Sequence, residues 1–339
     1  LKAMLLVAIM AVTGVAKAAD FTIRATANSN ENDEDYDGLV VFKNYVESAS
    51  NGAIAVELFI GTQLCSKGAE CLQGVADGSI DVYISTSGGA AGIFPYVQVL
   101  DLPYLMADDR VAEHVLSGDF TRTMRAMALE DSGDKIRLMT IGNTGGWRNF
   151  ANTKRRIQNP GDMAGLKIRT VVADLPQELV RALGASPTPI PWPELFTSFQ
   201  TGVVEGSKNG ITDIMGMKFP DAGLQYVTLD GHAYMGALWW MSNDKFMAMP
   251  EEMRRVVVDG FEDTRDIPTL AHTRLSLGWG SWGMWKWAIA SSDLMGQLAA
   301  VTHVYIIYLP WPLLGLPGDF RTLSSYLIPH TSYLTLHTS

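Results

Sequence analysis

Residues Gly165 to Asn209 read GLKIRTVVADLPQELVRALGASPTPIPWPELFTSFQTGVVEGSKN. The apolar run 168–171 has the short, β-branched character of a strand, and Arg169 sits inside it. A helix is predicted next, with Asp174 as N-cap, an apolar face of Leu179, Val180 and Leu183, and Gly184 as its stop. Residues 187–193 are stiffened by proline and hold Trp192 between two of them. Pro193 fits the first turn of a second helix, which Gly202 ends, and a Gly-rich return leads to Asn209. An arginine on an ordered strand presents a planar fork of donors that fits a carboxylate with two parallel hydrogen bonds. No nucleophile or metal-ligand set accompanies it.

Outward from this stretch the same alternation recurs. Residues 21–27, 54–59, 80–85 and 136–141 read as strands. Residues 38–48, 69–76, 108–116, 120–130 and 250–263 read as helices. Strands alternating with helices over short connections predict an α/β sheet. The chain is expected to cross into a second domain near residues 142–146 and to return near 234–242. One lobe would then hold 20–145 plus 235–267, the other 146–234. No internal repeat is present.

The 339 residues and 47% hydrophobic content suffice for one large or two medium packed domains. The formal net charge of −10 disfavours nucleic acid as a partner, because neutralising phosphates needs clustered Lys and Arg. At the N-terminus Lys2 precedes the apolar run 4–15, and Ala16-Lys17-Ala18 supplies a small-x-small cleavage pattern. Residues 1–19 are therefore read as an export signal, too short for a comfortable permanent span. The two cysteines, Cys65 and Cys71, fit neither a zinc site nor a redox pair. A disulfide in an oxidising compartment and two free thiols on one helix are both open readings.

Seven short motifs stand in order along the chain. They are Gly61-Thr62-Gln63-Leu64, Gly78-Ser79-Ile80-Asp81-Val82, Leu102-Pro103-Tyr104-Leu105 and Gly145-Gly146-Trp147-Arg148. Gly165-Leu166-Lys167-Ile168-Arg169, Pro191-Trp192-Pro193-Glu194 and Gln200-Thr201-Gly202-Val203-Val204-Glu205-Gly206 complete the set. By their order and spacing, residues 21–266 resemble the dicarboxylate-receptor type of solute-binding protein of tripartite ATP-independent periplasmic (TRAP) transporters. The resemblance implies a two-lobed periplasmic-binding-protein (Venus flytrap) fold with the ligand cleft between the lobes. It also implies capture of a small organic acid in the periplasm for delivery to TRAP membrane permease subunits, without catalysis, cofactor or stable membrane insertion.

Carried onto this chain, the resemblance gives Arg169 the solute's carboxylate, Arg148 a second positive charge and Asn209 a polar neighbour of that carboxylate. Lys208 stands where relatives often carry an acidic group. Trp192 could wall the pocket or pack in the core. Asn28, Ser29, Thr86 and Ser87 fall at strand ends of the first lobe, where open α/β sheets place ligands. Residues 33–38 (DEDYDG) mimic the opening of a calcium loop, but Asn44 occupies the twelfth position, so they are read as a solvated acidic loop. A receptor that signals to a partner is one alternative. An exported serine hydrolase using Ser132–Lys135 or Ser242–Lys245 is another, although the companion Lys-Thr-Gly motif is absent. Beyond 267 the sequence turns rich in Trp and then in Pro, and residues 268–339 are read as an atypical, aberrant tail.

Overall fold

The computed structural model describes residues 18–264, so the apolar run read as an export signal and the tail read as atypical lie outside the described residues. Eight strands form one mixed sheet: β1 Phe21–Ala27, β2 Ile54–Ile60, β3 Val82–Ser85, β4 Ile136–Asn152, β5 Lys167–Thr170, β6 Ser186–Pro189, β7 Gly206–Asn209 and β8 Tyr226–Ser242. Their order is β2-β1-β3-β8-β4-β7-β5-β6. The helices are α1 Glu34–Ala49, α2 Gly68–Asp77, α3 Ser87–Ala90, α4 Asp109–Leu116 and α5 Asp119–Asp131. They continue with α6 Asp174–Ala182, α7 Leu195–Gln200, α8 Ile211–Gly216, α9 Asn243–Ala248 and α10 Glu251–Asp263.

The two 17-residue strands, β4 and β8, make the protein two-lobed yet continuous. They pair antiparallel along their length, from Ile136↔Ser242 at one end to Asn152↔Tyr226 at the other. At the first end β8 pairs with β3, Val82↔Met241 through Ser85↔Leu238. At the other end β4 pairs with β7, Asn149↔Asn209 through Asn152↔Gly206. Each lobe therefore has its own strands on a shared central ladder.

Each lobe buries both sheet faces. Trp239 and Trp240 are neighbours on β8, and the two-residue period of a strand sends them to opposite sides. Trp240 packs with Leu72, Val75, Phe94 and Met124, under α2 and α5. Trp239 packs with Ile23, Leu39, Phe42 and Phe261, under α1 and α10. In the second lobe Ile168, Met163 and Leu179 form one core and Leu195, Phe199 and Phe219 the other.

Several expectations shift. The strand expected over 136–141 runs on to Asn152, because Gly145 and Gly146 form a bulge between Asn143 and Trp147 instead of ending the pairing. Both glycines have positive φ, +78° and +70°. A Cβ on Gly145 would lie 2.9 Å from the Asp213 carboxylate, and one on Gly210 would lie 1.9 Å from the Gly145 carbonyl. Only glycine allows that approach. Asp174 is the first residue of α6, and Ala173 stands at the cap position without a side-chain bond. The acidic stretch expected as a solvated loop is instead the first turn of α1, with Asp33 as N-cap accepting a 3.0 Å hydrogen bond from the Asp35 amide. Carboxylates at a helix start meet its free N–H groups and the positive end of its dipole.

Candidate functional site

A cavity of about 220 Å³ lies between the lobes where β4 crosses from one to the other. This is below the roughly 300–1,000 Å³ of sites for drug-sized ligands, so the occupant is small. The first lobe contributes Asn28, Ser29, Asp33, Asp35, Ser66, Gly68 and Thr86. Arg148 and Thr144 come from β4, and Arg169, Val171, Trp192, Asn209 and Asp213 from the second lobe. The lobes touch across it: a Cβ on Gly88 would meet the Val171 side chain at 2.1 Å.

Arg169 projects from β5 into this cavity and is only 3% exposed. Its Nε donates to the Ile190 carbonyl at 2.9 Å, and its guanidinium lies 5.6 Å from the Trp192 ring centre. Trp192 is half-buried and fixed edge-to-face on Phe219 at 5.5 Å. Thus the ring and one carbonyl hold the stem, while among the described residues the two terminal nitrogens have no partner. Burial, with the Arg148 charge nearby, pushes the group down to about 9, against the pull of Asp213. It remains a cation at neutral pH.

Arg148 is buried on β4. Its Nε is 3.7 Å from Asp101 and its Nη1 donates to the Lys208 carbonyl at 3.3 Å, while Nη2 has no hydrogen-bond partner. Asn209 receives a 2.6 Å bond from Ser207 on its carbonyl and donates to Asp213 at 3.5 Å, which leaves one amide hydrogen.

Facing the arginines are carboxyl groups. Asp33, Glu34 and Asp213 are buried, and one acceptor oxygen from each lies within 4.8 Å of the others. Burial raises Asp33 well above the usual carboxylate range, helped by the charges of Asp35, Asp213 and Glu34. Asp213 is raised in the same way by burial and Glu34, against Arg148. Burial lifts Asp35 to about 7, despite a hydrogen bond from Thr144. On the Arg148 side, burial and the Arg148 charge push Lys208 down to about 7. His232 stacks on Phe150 at 4.6 Å and contacts Asp230 at 2.6 Å.

Of the residues proposed from sequence, Arg169, Arg148, Asn209, Trp192, Asn28, Ser29 and Thr86 share this cavity. One of the first-lobe expectations is corrected. Ser87 turns its hydroxyl away, donating to Asp101 at 2.8 Å, because it begins α3. Asn28 reaches the wall with its amide already engaged: it donates to the Cys65 carbonyl at 3.0 Å and to Cys71 Sγ at 3.4 Å, and it accepts from Tyr83 at 2.6 Å. Cys65 and Cys71 form a disulfide, with Cys65 in the loop before α2 and Cys71 in its first turns. Sequence reasoning missed Asp213, Asp33 and Asp101. The acidic run 33–37 was the available signal for one of them; nothing local marks the others.

The two Ser-x-x-Lys pairs do not form the couple a hydrolase needs. The Ser132 hydroxyl caps the turn by accepting from the Ile136 amide at 3.0 Å, while Lys135 pairs with Asp244 at 3.0 Å. Lys245 lies 3.6 Å from Asp81. Among the described residues no helix is long and apolar enough to cross a membrane.

The chain is similar to a solute-binding protein of Verminephrobacter eiseniae, 29% identical over 242 residues, which are 71% of this chain and 70% of that one. It is 27% identical over 259 residues to the 2,3-diketo-L-gulonate-binding periplasmic protein YiaO of Escherichia coli, covering 76% and 77% of the two chains. A TRAP periplasmic solute-binding protein from Bordetella bronchispeptica, whose crystal structure has density assigned to pantoate, superposes with a TM-score of 0.78. That match has 25% identity and covers 87% of this chain and 97% of the other. Residues 25–271 match DctP, bacterial extracellular solute-binding protein, family 7. This span exceeds half the sequence, and with the two-lobed fold around a cleft it shows that the chain belongs to that family.

Proposed function

We propose that this chain is an exported receptor that captures a small carboxylate and hands it to TRAP permease subunits. One lobe, 20–145 with 235–267, closes on the other, 146–234, about the Gly145–Gly146 bulge. The observation that carries the reading is Arg169, a buried cation whose two terminal nitrogens have no partner among the described residues. Burying a charge is costly unless an opposite charge meets it, and a solute carboxylate supplies that charge in two parallel hydrogen bonds. Arg148 adds positive potential and the unpartnered N–H groups of its Nη2, and Asn209 offers its remaining amide hydrogen. Trp192 supports the guanidinium and walls the pocket. The diketogulonate named for the Escherichia coli relative and the pantoate assigned in the Bordetella structure are both carboxylates. Isothermal titration of a panel of small acids and their primary amides tests the reading. Acids should bind and amides should not; equal binding of both would remove the charge argument.

A further inference from the structure

Lys208 on β7 is 3% exposed, and among the described residues its side-chain nitrogen has no hydrogen bond and no ion pair. Lysine is almost never buried without a partner. Its carbonyl accepts from Arg148 Nη1 at 3.3 Å, and strand alternation turns its side chain away from the face of Asn209 and toward Phe150, its partner in register. Asp230 accepts from the Phe150 amide at 2.9 Å, and His232 stacks on the Phe150 ring. The charges that act on Lys208 are Arg148 on β4, Arg169 on β5, Asp101 in the first lobe and Asp230 on β8. His232 adds none at neutral pH, because burial holds it below its usual value. Asp33 and Asp213 on the cavity wall hold protons, since burial raises both. Three cations, Arg148, Arg169 and Lys208, therefore share two carboxylates. Both carboxylates are already engaged, Asp101 by Ser87 at 2.8 Å and Asp230 by His232 at 2.6 Å. One negative charge is missing while Lys208 is protonated, and none is missing when it is neutral.

We propose that Lys208 is the proton partner of the bound solute: when a carboxylate seats on Arg169, the Lys208 amine takes up one proton from solvent and becomes an ammonium. The inference rests on the carboxylate reading of Arg169. With the solute in place three cations meet three anions. Arg148 joins the two positions, since it lines the cavity with Nη2 unpartnered and rests Nη1 on the Lys208 carbonyl. Buried charges act on one another with little screening, so the anion reaches Lys208 without touching it. In the ligand-free protein burial and the Arg148 charge hold the amine at about 7. The anion moves it upward in the complex. Below about 7 the amine is already charged and binding moves no proton. Above that, affinity is lost as pH rises, up to about ten-fold per unit, until the pH passes the raised value in the complex.

Isothermal titration of three- to six-carbon monocarboxylates, with lactate, pyruvate, glycerate and gluconate in the set, tests the coupling. The charge of these probes is constant from pH 6 to pH 8.5. For each probe that binds, Kd should rise about ten-fold or more over that range, and buffers of different ionisation heat should report uptake of about half a proton or more per site at pH 8. Lys208→Met removes an unpaired buried amine and should fold, which a thermal melt checks. Its Kd should vary less than three-fold over the same range, with the uptake lost. Asp35→Asn removes the wall group that burial lifts to about 7, and it should keep the parent's pH dependence. Uptake that survives Lys208→Met, or that Asp35→Asn removes and Lys208→Met keeps, overturns the proposal. Acids that bind to the parent while their primary amides do not, with no proton taken up, overturn the proposal and leave the carboxylate reading standing. If acids and amides bind equally, or no acid binds at pH 6, the carboxylate reading falls and the proposal with it.

Discussion

Arg169→Met keeps most of the buried stem and removes the fork. In the empty protein the fork contributes little to folding. It makes one internal hydrogen bond, to the Ile190 carbonyl, and lies 5.6 Å over Trp192, a contact worth about 0.5–2 kcal/mol. Against these stands the cost of holding a desolvated cation, which methionine removes. The buried Ile190 carbonyl that loses its donor costs about 1–3 kcal/mol, which relief of the desolvated cation offsets in part, so stability without ligand should fall by no more than about 2 kcal/mol. Binding is different. Removing one partner of a buried, hydrogen-bonded charge pair costs about 2–5 kcal/mol, which is roughly thirty- to several-thousand-fold in Kd. Arg169→Lys should recover little of it, because an ammonium cannot reproduce the planar fork. Isothermal titration with the best ligand from the acid panel measures the loss, and a thermal melt without ligand is the control. A folded Arg169→Met protein that binds within three-fold of the parent refutes the carboxylate contact.

Other expectations follow from the same geometry. Gly88→Val should hold the lobes apart, since even a Cβ there meets Val171; affinity should fall and the radius of gyration measured by X-ray scattering with ligand should rise. Gly145→Ala combines a +78° φ with a Cβ 2.9 Å from the Asp213 carboxylate, and should destabilise the protein by more than about 1 kcal/mol in denaturant titration. Reducing the Cys65–Cys71 bridge frees a chain segment of only six residues' separation, worth about 2 kcal/mol by the loop-entropy argument, and it loosens the loop bonded to Asn28; urea midpoints with and without reductant measure both. Asp35 is raised in the fold to about 7, so the folded state binds the extra proton. Its contribution is complete below the usual carboxylate pKa of about 4 and is lost as pH rises through about 7. Asp35→Asn should flatten that part of the stability curve of the ligand-free protein.

The sequence by itself determined the α/β alternation, because strand and helix periods are local patterns of apolar residues. It also determined where Arg169 and Trp192 stand, because Pro191, Pro193 and the strand around residue 168 restrict the backbone locally. Ordered glycine and proline motifs were enough to mark the family. What only the tertiary structure decided is which charges share a space. Asp33 and Asp213 are 180 positions apart in number and become neighbours where α8 meets the loop before α1, an approach so close that a Cβ on Gly216 would lie 2.4 Å from the Asn32 carbonyl. The same holds for Arg148 with Asp101, and for Ser87, whose hydroxyl was lost to the cleft through that carboxylate. Asn28 lines the cavity from its place at a strand end, and only the packed structure shows that its amide also serves the disulfide loop. A side chain's partners depend on long-range packing and burial, which set both its free valences and its charge, and neither is written in the residues beside it.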